Sequence, residues 1–82
     1  MEPMRKAEDF EYLGPALATL RRRRKIPLRF VAKKLDISVH VLSRCETSQR
    51  DLTTRNLLQY LEIVRATLTD LDVAMDAFKY KR

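Results

Sequence analysis

Tryptophan is absent from the 82 residues, glycine, cysteine and histidine occur once each, and proline three times. Each scarcity excludes something. One cysteine makes neither an internal disulfide nor a zinc cluster. One glycine and three prolines supply too little turn chemistry for an all-β fold. A lone histidine without clustered carboxylates leaves catalysis without its parts, so the chain reads as a non-enzyme with no metal or other cofactor. No apolar run approaches the length of a membrane span. The N-terminal MEPMRKAEDF has no apolar signal-peptide core, so a cytoplasmic protein is expected.

What is present favours packed helices. Hydrophobic residues make up 45% of the chain, which argues against disorder. Aromatics are only 7%, so Leu, Ile, Val and Ala must fill the interior. Eighty-two residues support one compact domain with a modest core. The net charge of +6 suggests a polyanionic partner, nucleic acid before an acidic membrane.

Spacing divides the chain into a flexible arm over residues 1–9, a domain over 10–78 and a basic tail over 79–82. Phe10, Leu13, Leu17 and Leu20 form a stripe at helical intervals. Proline is comfortable in a first helical turn, so a regular helix is predicted from Gly14-Pro15, with Phe10 to Leu13 as a packed lead-in. It ends near Arg24, because Pro27 disfavours helical geometry at Ile26. A second helix runs from Pro27 to about Leu35, and a third from Val39 to Glu46. Thr47 to Thr53 is a polar loop, with Thr53 or Thr54 capping a fourth helix whose apolar face is Leu57, Leu58, Tyr60, Leu61 and Val64. Thr69 caps a fifth, with Asp70 and Asp72 in its first turn, where the helix dipole favours acids. Leu71, Val73, Ala74, Met75 and Phe78 follow.

The segment Ile26–Glu46 carries the most information. Val31 and Leu35 lie four apart on one helical face, and small Ala32 beside them permits a close crossing. Asp36 tolerates the left-handed conformation of a sharp turn. Ile37 plugs the corner and Ser38 suits the next helix's N-cap. That helix buries Leu42 and Cys45 and turns His40, Ser43 and Arg44 outward, which makes Cys45 a core residue. Two short helices joined this way have the pattern of a helix-turn-helix, whose second helix enters the major groove of DNA.

The match extends beyond the turn. Gly14, Leu17, Leu20 and Arg21, then Val31, Ala32, Leu35, Ile37, Ser38, Leu42, Ser43, Arg44 and Glu46, then Leu57, Leu58, Tyr60, Val64, Leu68 and Leu71 follow one ordered pattern. In it the chain resembles the Cro/cI-type, or xenobiotic-response-element, family from Leu13 to Leu71. Asp36, Ser48 and Arg65 stand where that family commonly has glycine. The resemblance implies an all-α, five-helix lambda-repressor-like domain with the helix-turn-helix at helices two and three. Position by position, it also implies base contacts by Val39, His40, Ser43 and Arg44. Arg44 suits guanine O6 and N7, and a valine suits a thymine methyl. Arg21 and Glu46 match a structural ion pair of the family, which ties the first helix to the third.

Phosphate contacts are expected from Arg29, Gln49, Arg50, Thr54 and Arg55, which lie at helix starts and in the loop after the third helix. Leu28 replaces a phosphate-touching glutamine of the family, and its backbone N–H remains available. Arg22 to Lys25 read as mostly solvated cations at a helix C-terminus. His40 and Ser43 are near enough to touch on a helix, but no third group orients the histidine for catalysis.

The function expected is that of a bacterial or phage-type transcriptional regulator, a repressor in the first instance. It would act as a homodimer on a near-palindromic operator, with its seam at Leu71, Val73, Met75 and Phe78. Two alternatives use the same features. One is an antitoxin or adaptor whose main partner is a protein such as a toxin; the other is a basic RNA- or ribosome-associated protein.

Overall fold

A computed structural model describes residues Ala7 to Tyr80. The expected arm at residues 1–6 and the tail residues 81–82 lie outside that range. Within it the chain is entirely helical: a 3-10 helix, Ala7–Tyr12, precedes α1 (Leu13–Arg23), α2 (Leu28–Leu35), α3 (Val39–Glu46), α4 (Thr54–Ile63) and α5 (Leu68–Lys79). Helix α1 is central, packing on both α3 and α5, while α2 packs on α3 and α4. Tyr60, Leu17, Leu42, Val31 and Val64 are the largest side chains wholly withdrawn from water.

Local chemistry explains where each helix starts. Pro15 sits in the first turn of α1, where a missing N–H breaks no intrahelical bond. Ser38 and Thr53 cap α3 and α4, their hydroxyls accepting from the Val41 N–H at 3.0 Å and the Asn56 N–H at 3.1 Å. Thr67 caps α5, in place of the predicted Thr69. Its hydroxyl accepts from the Asp70 N–H at 3.0 Å while the Asp70 carboxylate accepts from the Thr67 N–H at 2.8 Å. An acid stands three residues after each threonine, Asp70 after Thr67 and Asp72 after Thr69, so both spacings suit a reciprocal box and the fold forms the first of them. Asp72 consequently falls beyond the first turn, which holds Asp70 as its acid.

The helix ends share one device. Lys25, Asp36, Ser48 and Arg65 follow α1 to α4 with φ of 56°, 58°, 62° and 53°, all left-handed. The next residue's N–H returns to a carbonyl five positions back: Ile26 to Arg21 at 3.3 Å, Ile37 to Ala32 at 3.0 Å, Gln49 to Arg44 at 2.9 Å, and Ala66 to Leu61 at 2.9 Å. These are Schellman closures, which usually employ glycine. Here four L residues adopt the conformation, so each turn carries strain that glycine would not.

Three further expectations need correction. Regular α-helix starts at Leu13, and the lead-in before it is a 3-10 helix in which Phe10 is 51% exposed, so Phe10 does not extend the buried stripe. Ordered structure also begins within the predicted arm, since Asp9 is buried and accepts from Lys79 Nζ at 3.1 Å. Leu58 is 50% exposed; the inner face of α4 is Leu57, Tyr60, Leu61 and Val64.

Candidate nucleic-acid interface

Charge is distributed unevenly along the chain. Eleven of the 17 cations but only three of the 11 acids lie between Arg21 and Arg55, so this stretch carries +8 and the remainder −2. One of those three acids, Glu46, is buried against Arg21. The basic excess belongs to the end of α1, to α2 and α3, and to the loop into α4.

Helix α3 presents its N-terminal half to solvent. Val39, His40, Ser43 and Arg44 are all exposed, while Leu42, Cys45 and Glu46 on the other side are buried. The alternation follows from eight residues with apolar groups three apart. Arg29 is exposed on the first turn of α2, and Leu28 beside it is half-buried against the core. Pro27 gives α2 no side-chain cap, which leaves backbone donors at that helix start to an external acceptor. Gln49, Arg50, Thr54 and Arg55 are exposed around the loop between α3 and α4.

What holds α3 in place is buried and polar. Arg21 Nε donates to Glu46 Oε2 at 2.8 Å, and Nη2 donates to Oε1 at 2.9 Å, a two-pronged pair joining α1 to the last residue of α3. Arg21 Nη1 also donates to the Ile26 carbonyl at 2.9 Å. The Tyr60 hydroxyl lies 2.6 Å from Glu46 Oε2 and 3.0 Å from the Leu17 carbonyl. Its single proton serves the carboxylate, the stronger acceptor. Tyr60 thereby brings α4 into the network. The hydrogen bond to Glu46 raises the Arg21 pKa, and burial followed by that carboxylate pushes the Tyr60 hydroxyl far above the usual tyrosine range. Both groups therefore remain donors through the alkaline region.

The backbones of α1 and α3 meet at Gly14. A Cβ there would collide with the Cys45 carbonyl oxygen and would stand 2.8 Å from both the Glu46 carbonyl carbon and the Ser48 nitrogen. All three are main-chain atoms, so no side chain can swing aside. Ser48 adds a tether, its hydroxyl donating to the Glu11 carbonyl at 2.5 Å. Cys45 is 4% exposed at this crossing, and burial raises its thiol pKa.

Other predicted residues fall elsewhere. Leu71 and Met75, placed at the dimer seam by their apolar character, are 5% and 3% exposed and belong to the chain's own core. A face that packs on α1 is not available to a second copy, so these two are withdrawn from the seam. Phe78 packs against the same core, and Val73 is 60% exposed. Arg22, Arg23, Arg24 and Lys25 are exposed. Arg24 nonetheless has a structural role, because its Nε donates to the Val64 carbonyl at 3.1 Å and its Nη2 to the Arg65 carbonyl at 3.2 Å, closing the end of α4. Two contributors carry no clear signal in the sequence. Tyr60 fits the apolar period of α4, which conceals its hydroxyl's role. Phe30 is 46% exposed with Lys34 Nζ 5.5 Å from its ring centre, and nothing in its spacing distinguishes it from a core aromatic.

No cluster of three metal-ligating side chains occurs among the described residues, and none of their helices is long and apolar enough to cross a membrane. No family model, curated protein or solved structure matches the chain.

Proposed function

We propose that this chain is a sequence-specific DNA-binding regulator in which α2 and α3 act as a helix-turn-helix and α3 reads the major groove. The observation that carries the reading is the two-sided character of α3. Its outer N-terminal half bears Val39, His40, Ser43 and Arg44, groups able to meet base edges, and its inner end is locked to α1 and α4 through Glu46. Arg29, Arg50 and Arg55, with the N–H groups opening α2, supply phosphate contacts around it. No catalytic step is assigned. One such helix specifies only a few base pairs, so the working unit is a homodimer on a near-palindromic site, with half-sites roughly 34 Å apart.

Selection from a library of duplexes with a randomised core tests the proposal. The expected product is an enriched site with two related half-sites. On it, Arg50→Ala or Arg55→Ala lowers affinity for every sequence alike and reduces the salt-dependence slope by about one. Recovery of unenriched sequence, with weak binding throughout, contradicts it. A second reading, an antitoxin-like or adaptor protein, is favoured by Leu68, Val73 and Tyr80, apolar side chains of which 60%, 60% and 74% are exposed at α5. Under that reading the protein partner, rather than DNA, is the main ligand.

A further inference from the structure

Where the C-terminal end of α1 meets the α4–α5 turn, there is a cleft of about 360 Å³ whose lining includes none of the residues proposed to contact DNA. Its apolar wall is Leu20, Val64 and Val73, and Arg23, Arg24 and Arg65 stand around it. Leu20 and Val64 are 6% and 1% exposed and back the cleft from within the core, so Val73, 60% exposed, presents most of its accessible apolar surface. Asp70 is the one acid in the lining; its carboxylate accepts the Thr67 N–H, stays negative and offsets one of the three positive charges, so the lining keeps a net positive charge.

The three guanidinium groups differ in how they are held. Arg24 is pinned, spending two of its five N–H donors on the Val64 and Arg65 carbonyls. Arg23 and Arg65 form no ion pair with a described residue. Arg65 moreover occupies a left-handed turn position, with φ of 53°, where glycine fits without strain. A cation therefore stands beside the cleft at a position whose backbone does not favour it.

We infer that this cleft is a binding site for a small amphiphilic anion, a carboxylate or similar head on a short apolar body. The head would meet the arginines, and the body would lie against Val73 and the edge of Leu20. The volume falls within the range of about 300–1,000 Å³ usual for small-molecule sites. An apolar wall beside several guanidinium donors selects a ligand with both characters, since an inorganic anion leaves the wall wet and a neutral alcohol leaves the charges unmet. Such a site would exist whether or not α3 reads DNA.

The test is a titration of the isotope-labelled full chain with sodium octanoate below its micelle concentration, followed by amide chemical shifts in the absence of DNA. Saturable shifts centred on Arg23, Val64 to Ala66 and Val73 are expected. Octan-1-ol and inorganic phosphate should each bind at least tenfold more weakly. Arg65→Gly, which relaxes the turn, should weaken octanoate binding at least threefold without lowering Tm, and the double variant Arg23→Ala/Arg65→Gly at least tenfold. Shifts centred on Val39 to Arg44, phosphate binding as tight as octanoate, or Arg65→Gly binding octanoate like the wild type would each overturn the assignment.

Discussion

Helices α3 and α5 both lie across α1, yet they are held by opposite means. Eight-residue α3 is seated on a bidentate ion pair, a tyrosine hydroxyl and a backbone approach that admits no Cβ. Twelve-residue α5 is seated on Leu71, Ala74 and Met75, with the Thr67–Asp70 box at its start and the Lys79–Asp9 pair at its end. Apolar contact is non-directional and tolerates small slides. Directed hydrogen bonds on a carboxylate do not. The contrast teaches that this small domain places a directed, buried hydrogen-bond network behind the helix proposed to read DNA, and seats the other flank of α1 on a row of apolar side chains.

The largest break in that contrast should come from Arg21→Ala. It leaves Glu46, 7% exposed, without its charged partner, and should cost about 3 kcal/mol, read as a fall in Tm. Lys79→Ala strands the buried Asp9 in turn but removes one bond from a 32% exposed side chain, where Arg21→Ala removes a two-pronged pair, so it should lower Tm by less. Equal losses would remove the distinction between the two seats. Tyr60→Phe sharpens the same point: the ring keeps its packing, and one bond to a carboxylate is lost, at about 2 kcal/mol. A thermal melt indistinguishable from wild type would show that the hydroxyl adds nothing to the seat.

These two regions are legible in the sequence to unequal depths. The turn at Asp36 can be read there, because an aspartate followed by an isoleucine plug carries its own signal. The left-handed Lys25 cannot, since lysine advertises no turn and only the finished Schellman closure reveals it. The positions of Arg21 and Glu46 are visible through the resemblance, whereas Tyr60 is hidden by fitting the apolar period of α4. The Thr67 cap is only half legible, because the threonine-to-aspartate spacing of a capping box occurs twice, as Thr67–Asp70 and as Thr69–Asp72, and the sequence does not choose between them. Leu71 and Met75 show a harder limit. A periodic apolar face must be buried, but periodicity does not say whether its cover is the same chain or another. Here it is α1.

Two smaller effects probe the turns and the α5 terminus. Arg65→Gly places glycine where φ is 53° and should stabilise the fold by about 1 kcal/mol, read by chemical denaturation. A loss of stability instead would mean that the side chain holds the turn. The smallest effect concerns acid. Hydrogen bonds from Thr67 hold the Asp70 carboxyl below its usual 3.8, so its contribution is present above that value and is lost as pH falls through the lowered one. Asp70→Asn should therefore make Tm less steep in pH below about 4 while leaving it nearly level above. An acid limb as steep as wild type would exclude the box as its source.

Base reading by α3 is tested by Arg44→Ala on the selected duplex. Affinities of wild type and variant are measured on that duplex, on each single-base change within a half-site, and on random DNA at one salt concentration. The account predicts that the variant loses about 1–3 kcal/mol on the selected site and no longer discriminates one guanine, with random-DNA binding little changed. Equal loss on selected and random DNA would contradict it, and would make Arg44 one more phosphate-facing cation.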